Sequence, residues 1–87
     1  MSIKIIAVSE RWVFVGRAHV SATGDVRLTD ARCIRVWGTA SGIGQLAAGP
    51  TAKTVLDPVG TMDIRAGAIL FDFEGGAAWE KHLKPAK

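Results

Sequence analysis

The chain has 87 residues, 48% of them hydrophobic, and a formal net charge of +3. This length accommodates one ordinary domain, residues 1–87, and the apolar fraction excludes a disordered chain. The single cysteine, Cys33, excludes a disulfide within the chain and favours a reducing compartment, so we expect a cytoplasmic protein. No stretch has the length of a membrane span or the pattern of a secretory signal, so we expect no membrane partner.

The first half of the chain has the pattern of short β-strands. Gly16 fits a β-bulge, residues 23–25 form a turn signal, and Asp30 with Ala31 offers a second turn. Between these positions, apolar runs and alternating apolar and polar residues are typical of strands. We predict strands or extended segments at residues 3–8, 12–15, 17–22, 26–29 and 33–37.

A glycine-rich segment interrupts the strands, and its end has the pattern of a short helix. Ser41 is a residue type that caps helices, and apolar residues follow at helical spacing. Gly49 and Pro50 then form a strong stop signal. We therefore predict a helix of about two turns at residues 41–48, too short to be stable unless it packs on the sheet.

The second half returns to strands, with a turn at Asp57 and Pro58 and a break after residue 74. We predict strands at residues 53–56, 59–64 and 67–73. Residues 77–83 are predicted as a C-terminal helix that docks through Trp79 and Leu83, and residues 84–87 as a frayed basic tail.

Together these elements predict a mainly β (α+β) domain with antiparallel strands, because the connections between strands are short. A small barrel or a strongly curved sheet, SH3-like or OB-like, suits the pattern best. A core of this size is marginal, and the apolar residues leave surface for a partner, so we also expect a homo-oligomer.

No complete catalytic or metal-binding motif is visible. Cys33 has no histidine near it in sequence, since His19 and His82 are distant, and its position in a strand is typical of a packing residue. One cysteine and two isolated histidines do not supply the usual ligands of a zinc site. We therefore predict no catalytic residue, no metal and no cofactor, and we expect that the protein is not an enzyme.

The segment from Trp37 to Gly44 is the most unusual feature and the predicted ligand site. Glycines allow close approach of the backbone, and free N–H groups at a helix start favour an anion. Trp37 offers a flat surface for a base, and Arg35 suits a phosphate. The predicted site comprises Arg35, Trp37, Thr39, Ser41, Gly42 and Gly44, with Arg32 and Gln45 as secondary candidates. The alternative is structural: Ser41 caps a helix, the glycines form a bend, and Trp37 belongs to the core.

The remaining tryptophans and arginines permit a second interpretation. Trp12 and Trp79 are predicted to be core residues. The arginine excess before residue 38 instead favours a phosphate-facing surface that binds nucleic acid. The arginines concerned are Arg11, Arg17, Arg27 and Arg32. Binding to another protein is a further alternative.

Several segments, in order, resemble a family of small proteins of unknown function from bacteriophages and prophages. They are VFVGR, VRLTDAR, IRVWGTASGIGQLA and KTVLDP, over about two-thirds of the chain. The most specific residues are Ala31, Arg32, Ile34, Trp37 and Gln45 to Ala47. The resemblance implies a phage accessory protein in an infected bacterium and no catalytic residue. By analogy of size and context, we expect it to sequester a nucleotide second messenger of host antiviral defence, with binding to a host protein or a structural role in the virion as alternatives.

Overall fold

The computed structural model describes residues 2–9 and 12–83, which form five antiparallel strands and three short 3-10 helices. The strands are β1 (Ser2–Val8), β2 (Trp12–Val20), β3 (Val26–Val36), β4 (Val55–Ile64) and β5 (Ile69–Gly75). Their order in the sheet is β4-β3-β2-β1-β5. The predicted mainly β, antiparallel architecture is confirmed. The predicted tail at residues 84–87 lies outside the described residues.

The first four strands form a meander, and β5 returns to pair with the free side of β1. Strands β4 and β5 are the two edges, and no ladder joins them in the part of the chain that the structure describes. The sheet is therefore open rather than a closed barrel. The bends within its strands have identifiable causes in the sequence.

Bulges replace two of the predicted turns. The β2–β3 register shifts at Gly16, where a Cβ atom would lie 3.1 Å from the Cβ of Leu28. Strand β3 continues through Asp30, which has a φ of 52°, so the predicted turn there is wrong. Likewise, the predicted turn at Asp57 and Pro58 lies inside β4, because an edge strand tolerates a proline.

The bent sheet buries side chains on both faces, which gives two core clusters, and β1 contributes side chains to each of them. Ile5 belongs to a cluster with Trp79, Leu83 and Leu46, which the 3-10 helices bring onto one face. Ile6 points to the other face, where the β3–β4 hairpin curls over it. Residues 3–8 do not alternate between apolar and polar side chains, because β1 is buried on both faces of the sheet.

The first 3-10 helix, Ile43–Ala48, occupies most of the predicted helix at 41–48. Gly42 stands at its N-cap with a φ of 88° and no side-chain cap bond, so the predicted cap at Ser41 is wrong. Gly49 ends the helix with a φ of 115°, as the stop signal predicted. No helix in residues 2–9 and 12–83 has the length and apolar character to cross a membrane.

The other two 3-10 helices flank β5. Ala66–Ala68 leads into the strand and was not predicted from the sequence. Ala77–His82 lies within the segment predicted as a C-terminal helix, in the tighter 3-10 form. Its Trp79 is fully buried, in agreement with the predicted docking residue.

Candidate functional site

A cavity of about 390 Å³ opens on the sheet face opposite the first and third 3-10 helices. We call it the Trp12 cavity; its lining residues are Trp12, Cys33, Ile34, Arg35 and Asp57. The strand register explains this grouping, because Cys33 is the partner of Phe14 on one side and of Asp57 on the other. Side chains of paired residues lie on the same face of a sheet.

Trp12 is 59% exposed, so its predicted place in the core is wrong. Along β2, Val13 and Val15 face the helices, and alternation turns Trp12 and Phe14 to the opposite face. The rings of Trp12 and Phe14 lie nearly parallel, with 6.4 Å between centroids and 7° between planes. Phe14 is half-buried and so supports a flat aromatic surface that reaches solvent at Trp12.

Arg35 and Asp57 form a two-pronged ion pair beside this surface. The Arg35 Nε atom donates to Asp57 Oδ2 over 2.8 Å, and Nη2 donates to Oδ1 over 3.3 Å. Both side chains are well exposed, so the pair contributes little to stability. It leaves three guanidinium N–H donors and further carboxylate lone pairs for a ligand.

Cys33 forms part of the apolar lining of the cavity. Burial raises the pKa of its thiol, Asp57 raises it further, and Arg35 opposes these effects. The thiol is therefore protonated at neutral pH and is a poor nucleophile there. Among the described residues, no group of three or more histidine, cysteine or acidic side chains is placed to hold a metal ion.

The glycine-rich segment, residues 37–44, is fastened to the turn before β4. Thr54 Oγ1 donates to the Trp37 carbonyl, and Thr51 Oγ1 donates to the Gly38 carbonyl, each over 2.6 Å. Gly38 has a φ of 68° and lies so close to the Lys53 backbone that a Cβ atom has no room. Trp37 is 40% exposed, which contradicts the alternative that places it in the core.

The Gln45 side chain accepts two backbone N–H groups of the predicted anion site, just before the first 3-10 helix. Its Oε1 atom accepts the N–H groups of Ala40 and Ser41 over 3.0 and 2.8 Å. Gly42 and Gly44 are exposed, with open space where a Cβ would stand. A six-residue 3-10 helix also has too small a dipole to hold an anion by itself.

The structure divides the predicted site residues among three places. Arg35 lines the Trp12 cavity, whereas Trp37, Thr39, Ser41 and the two glycines do not. Arg32 lies at the β3 bulge and donates to the carbonyl oxygens of Asp30 and Ala31. Sequence reasoning missed Trp12 and Asp57. The alternation along the strand indicates that Trp12 and Phe14 share a face. Only the register of β2 with β3 shows that Arg35 lies on the same face.

Most of the arginine excess in the first half is paired with acids. Arg17 contacts Asp30 and Glu80, and Arg27 holds both carboxylate oxygens of Asp63. Arg11 lies outside the described residues. The predicted phosphate-facing surface therefore carries less free charge than the sequence suggests.

A second cavity, of about 380 Å³, lies at the other end of the β3–β4 hairpin and is more polar. The Arg27–Asp63 pair and His19 line it, without a tryptophan or phenylalanine. It resembles the Trp12 cavity in its ion pair only. Comparisons with protein-family models, with curated proteins and with solved structures found no match.

Proposed function

We propose that the protein binds a small phosphorylated nucleotide in the Trp12 cavity without consuming it. The observation that carries this proposal is the exposed Trp12 ring, which lines one cavity together with Arg35 and Asp57. Exposed apolar surface that is rimmed by polar groups, as Trp12 and Phe14 are by Arg35 and Asp57, is typical of ligand-binding grooves.

The volume and the lining residues of the cavity both fit a nucleotide. The volume lies in the range of small-molecule sites. Trp12 offers a stacking surface, worth about 1–3 kcal/mol per base in proteins that bind single strands. Arg35 supplies a cation, and Asp57 supplies acceptors for N–H groups on a base. Cys33 adds apolar atoms to the lining, whereas the Ile34 side chain is buried in the core on the other face of the sheet.

The alternative, a nucleic-acid surface, has weaker support. Binding of that kind needs several cations that can neutralise phosphates. Arg17 and Arg27 each already hold a carboxylate. One aromatic platform beside one ion pair suits a single nucleotide better than a strand. A gel shift across a salt series distinguishes the two, because strand binding weakens steeply with salt.

The finer assignments belong to the same proposal. An SH3-like or OB-like relationship is supported by the meander, its bulges and the return of β5 to β1. The resemblance to small phage proteins supports an accessory protein in the cytoplasm of an infected host. There the nucleotide would be a second messenger of antiviral defence, held rather than degraded.

We further propose that the protein is a homo-oligomer that associates through the β5 edge. Leu70 is 62% exposed and Phe71 is also exposed, on a strand whose outer side has no described partner. The β4 edge is irregular, with Pro58 in the strand and Gly60 at a φ of 93°. Such irregularities hinder strand addition, whereas β5 has one register shift, at Leu70, and exposes apolar side chains there.

Calorimetry against linear and cyclic mono- and dinucleotides and ADP-ribose derivatives tests the ligand proposal. We expect binding that weakens about tenfold or more in Trp12→Ala, which removes the stacking surface. A Ser41→Ala variant, altered in the glycine-rich segment, is the matched control and should bind as the wild type does. The bound nucleotide should be recovered intact after denaturation. Absence of binding across the panel would overturn the proposal.

A further inference from the structure

The polar lining of the Trp12 cavity is one guanidinium beside one carboxylate. Arg35 presents two parallel N–H groups to Asp57 in a planar fork, at 2.8 and 3.3 Å. This fork has the same shape as one edge of a purine. The N1–H and N2–H groups of guanine are also two parallel donors joined through one carbon atom.

We propose that the base bound in this cavity is guanine; this inference rests on the proposed nucleotide-binding function. Guanine stacks on Trp12 and gives its N1–H and N2–H groups to the two oxygens of Asp57, in the place that the Arg35 fork occupies in the free protein. The O6 and N7 atoms of guanine come next around the ring. They are the acceptors that arginine most often binds with two hydrogen bonds.

Arg35 is free to make this exchange. Its side chain is well exposed, and Asp57 is its hydrogen-bond partner among the residues described. When the base takes the carboxylate, Arg35 turns to O6 and N7 and stays beside Asp57. Both charged groups therefore keep hydrogen-bond partners, and no charge is left unpaired in the complex.

The carboxylate also excludes the other bases. Adenine has an acceptor at N1, which would face a carboxylate oxygen, and cytosine has one at N3. Uracil has one N–H group flanked by two carbonyl oxygens. Stacking on Trp12 tolerates any base, so discrimination comes from Asp57. A site built to accept N–H groups strongly rejects analogues that lack them.

The sugar and phosphate join guanine at N9, on the opposite side from the edge that Asp57 holds. They therefore point away from Asp57, and the site should accept several phosphate arrangements on one base. We expect 5′-GMP, cyclic GMP and guanine-containing dinucleotides to bind with similar base-dependent affinity.

The test is calorimetry with GMP, IMP, AMP and XMP on the wild type and on Asp57→Asn. IMP lacks the N2 amino group, so we expect it to bind about tenfold more weakly than GMP. AMP should bind more weakly still. An asparagine accepts the N1–H of xanthine and donates to its O2. Asp57→Asn should therefore bind GMP more weakly and XMP more tightly than the wild type does.

Asp63→Asn is the matched control. It breaks the same kind of two-pronged pair, with Arg27, at the other end of the β3–β4 hairpin, where no tryptophan or phenylalanine lines the cavity. It should leave the order of nucleotides unchanged, and melting curves check that both variants fold. Equal binding of AMP and GMP, or an unchanged order in Asp57→Asn, overturns the guanine assignment while nucleotide binding stands. If no nucleotide binds, both proposals fail.

Discussion

The buried indole N–H of Trp79 donates to the backbone carbonyl oxygen of Leu46 over 2.6 Å. This bond ties the third 3-10 helix to the first, and both helices to the core on one face of the sheet. Neither helix is long enough to be stable alone. The hydrogen bond and the buried Trp79 ring therefore hold both helices against this face of the sheet.

We expect Trp79→Ala to lower the free energy of unfolding by about 3–5 kcal/mol, because it removes a large core ring. Trp79→Phe should cost less, about 1–3 kcal/mol, because it removes the indole hydrogen bond and part of the ring volume, while the Leu46 carbonyl still accepts the Gly49 N–H. Urea denaturation measures both. Trp12→Ala is the control and should cost about 1 kcal/mol or less, because Trp12 is exposed. Equal losses at the two tryptophans would contradict this assignment of core and surface.

Gly38 is a second position at which we expect a large effect on stability, because the fold leaves no room for a Cβ atom there. Its positive φ and its approach to the Lys53 backbone both exclude a side chain. Gly38→Ala should therefore lower the melting temperature by roughly 10 °C or more, equivalent to about 2 kcal/mol. Gly44→Ala adds its methyl group in open space and should change the melting temperature little. A mild effect at Gly38 would show that the glycine-rich segment is not held against the turn.

The strands were predictable from the sequence because the pattern of apolar and β-branched residues matches the burial of these residues in the sheet. Residues 3–8 and 26–29 carry enough β-branched and apolar side chains to identify strands whatever their partners. The turns at Asp30 and at Asp57 were not distinguishable from bulges. Residue types that favour turns also tolerate a bulge, and only the pairing across the sheet decides between them.

The candidate site was predictable only in part, for a related reason. Arg35 was predicted as a binding residue from its neighbours in sequence, and it lines the candidate site. Asp57 is 22 residues away and meets it only through the β3–β4 register. Trp12 lies in a run of residues that reads as core, and its exposure follows from which face the 3-10 helices cover.

The glycine-rich segment yields a prediction about capping. Ser41 makes no side-chain cap bond, whereas Gln45 accepts two backbone N–H groups. We expect Gln45→Ala to cost about 1–2 kcal/mol, and Ser41→Ala to cost less than about 0.5 kcal/mol. Chemical denaturation of the two variants checks this. A larger loss in Ser41→Ala would restore the serine as the cap.

The β5 edge gives a prediction about assembly. Leu70→Lys places a charge on the exposed apolar edge and should convert an oligomer into a monomer in sedimentation at micromolar concentration. Val59→Lys makes the same change on the β4 edge, where Val59 is also exposed, and should leave the assembly intact. A wild-type protein that sediments as a monomer would contradict the proposed oligomer.

The pKa of the Cys33 thiol depends on the charged groups that line the Trp12 cavity, so measuring it tests their arrangement. Burial is the main reason that the pKa of the thiol is raised, and the negative charge of Asp57 adds to it. Asp57→Asn removes that charge and leaves Arg35 without its partner, so both changes favour the thiolate. The pH midpoint of alkylation at this single cysteine should therefore move to lower pH, measured by mass spectrometry. Asp63→Asn, which alters the distant pair, should not move it. An unchanged midpoint in Asp57→Asn would mean that burial alone sets the pKa of Cys33 and that its carboxylate neighbour does not act on the cavity.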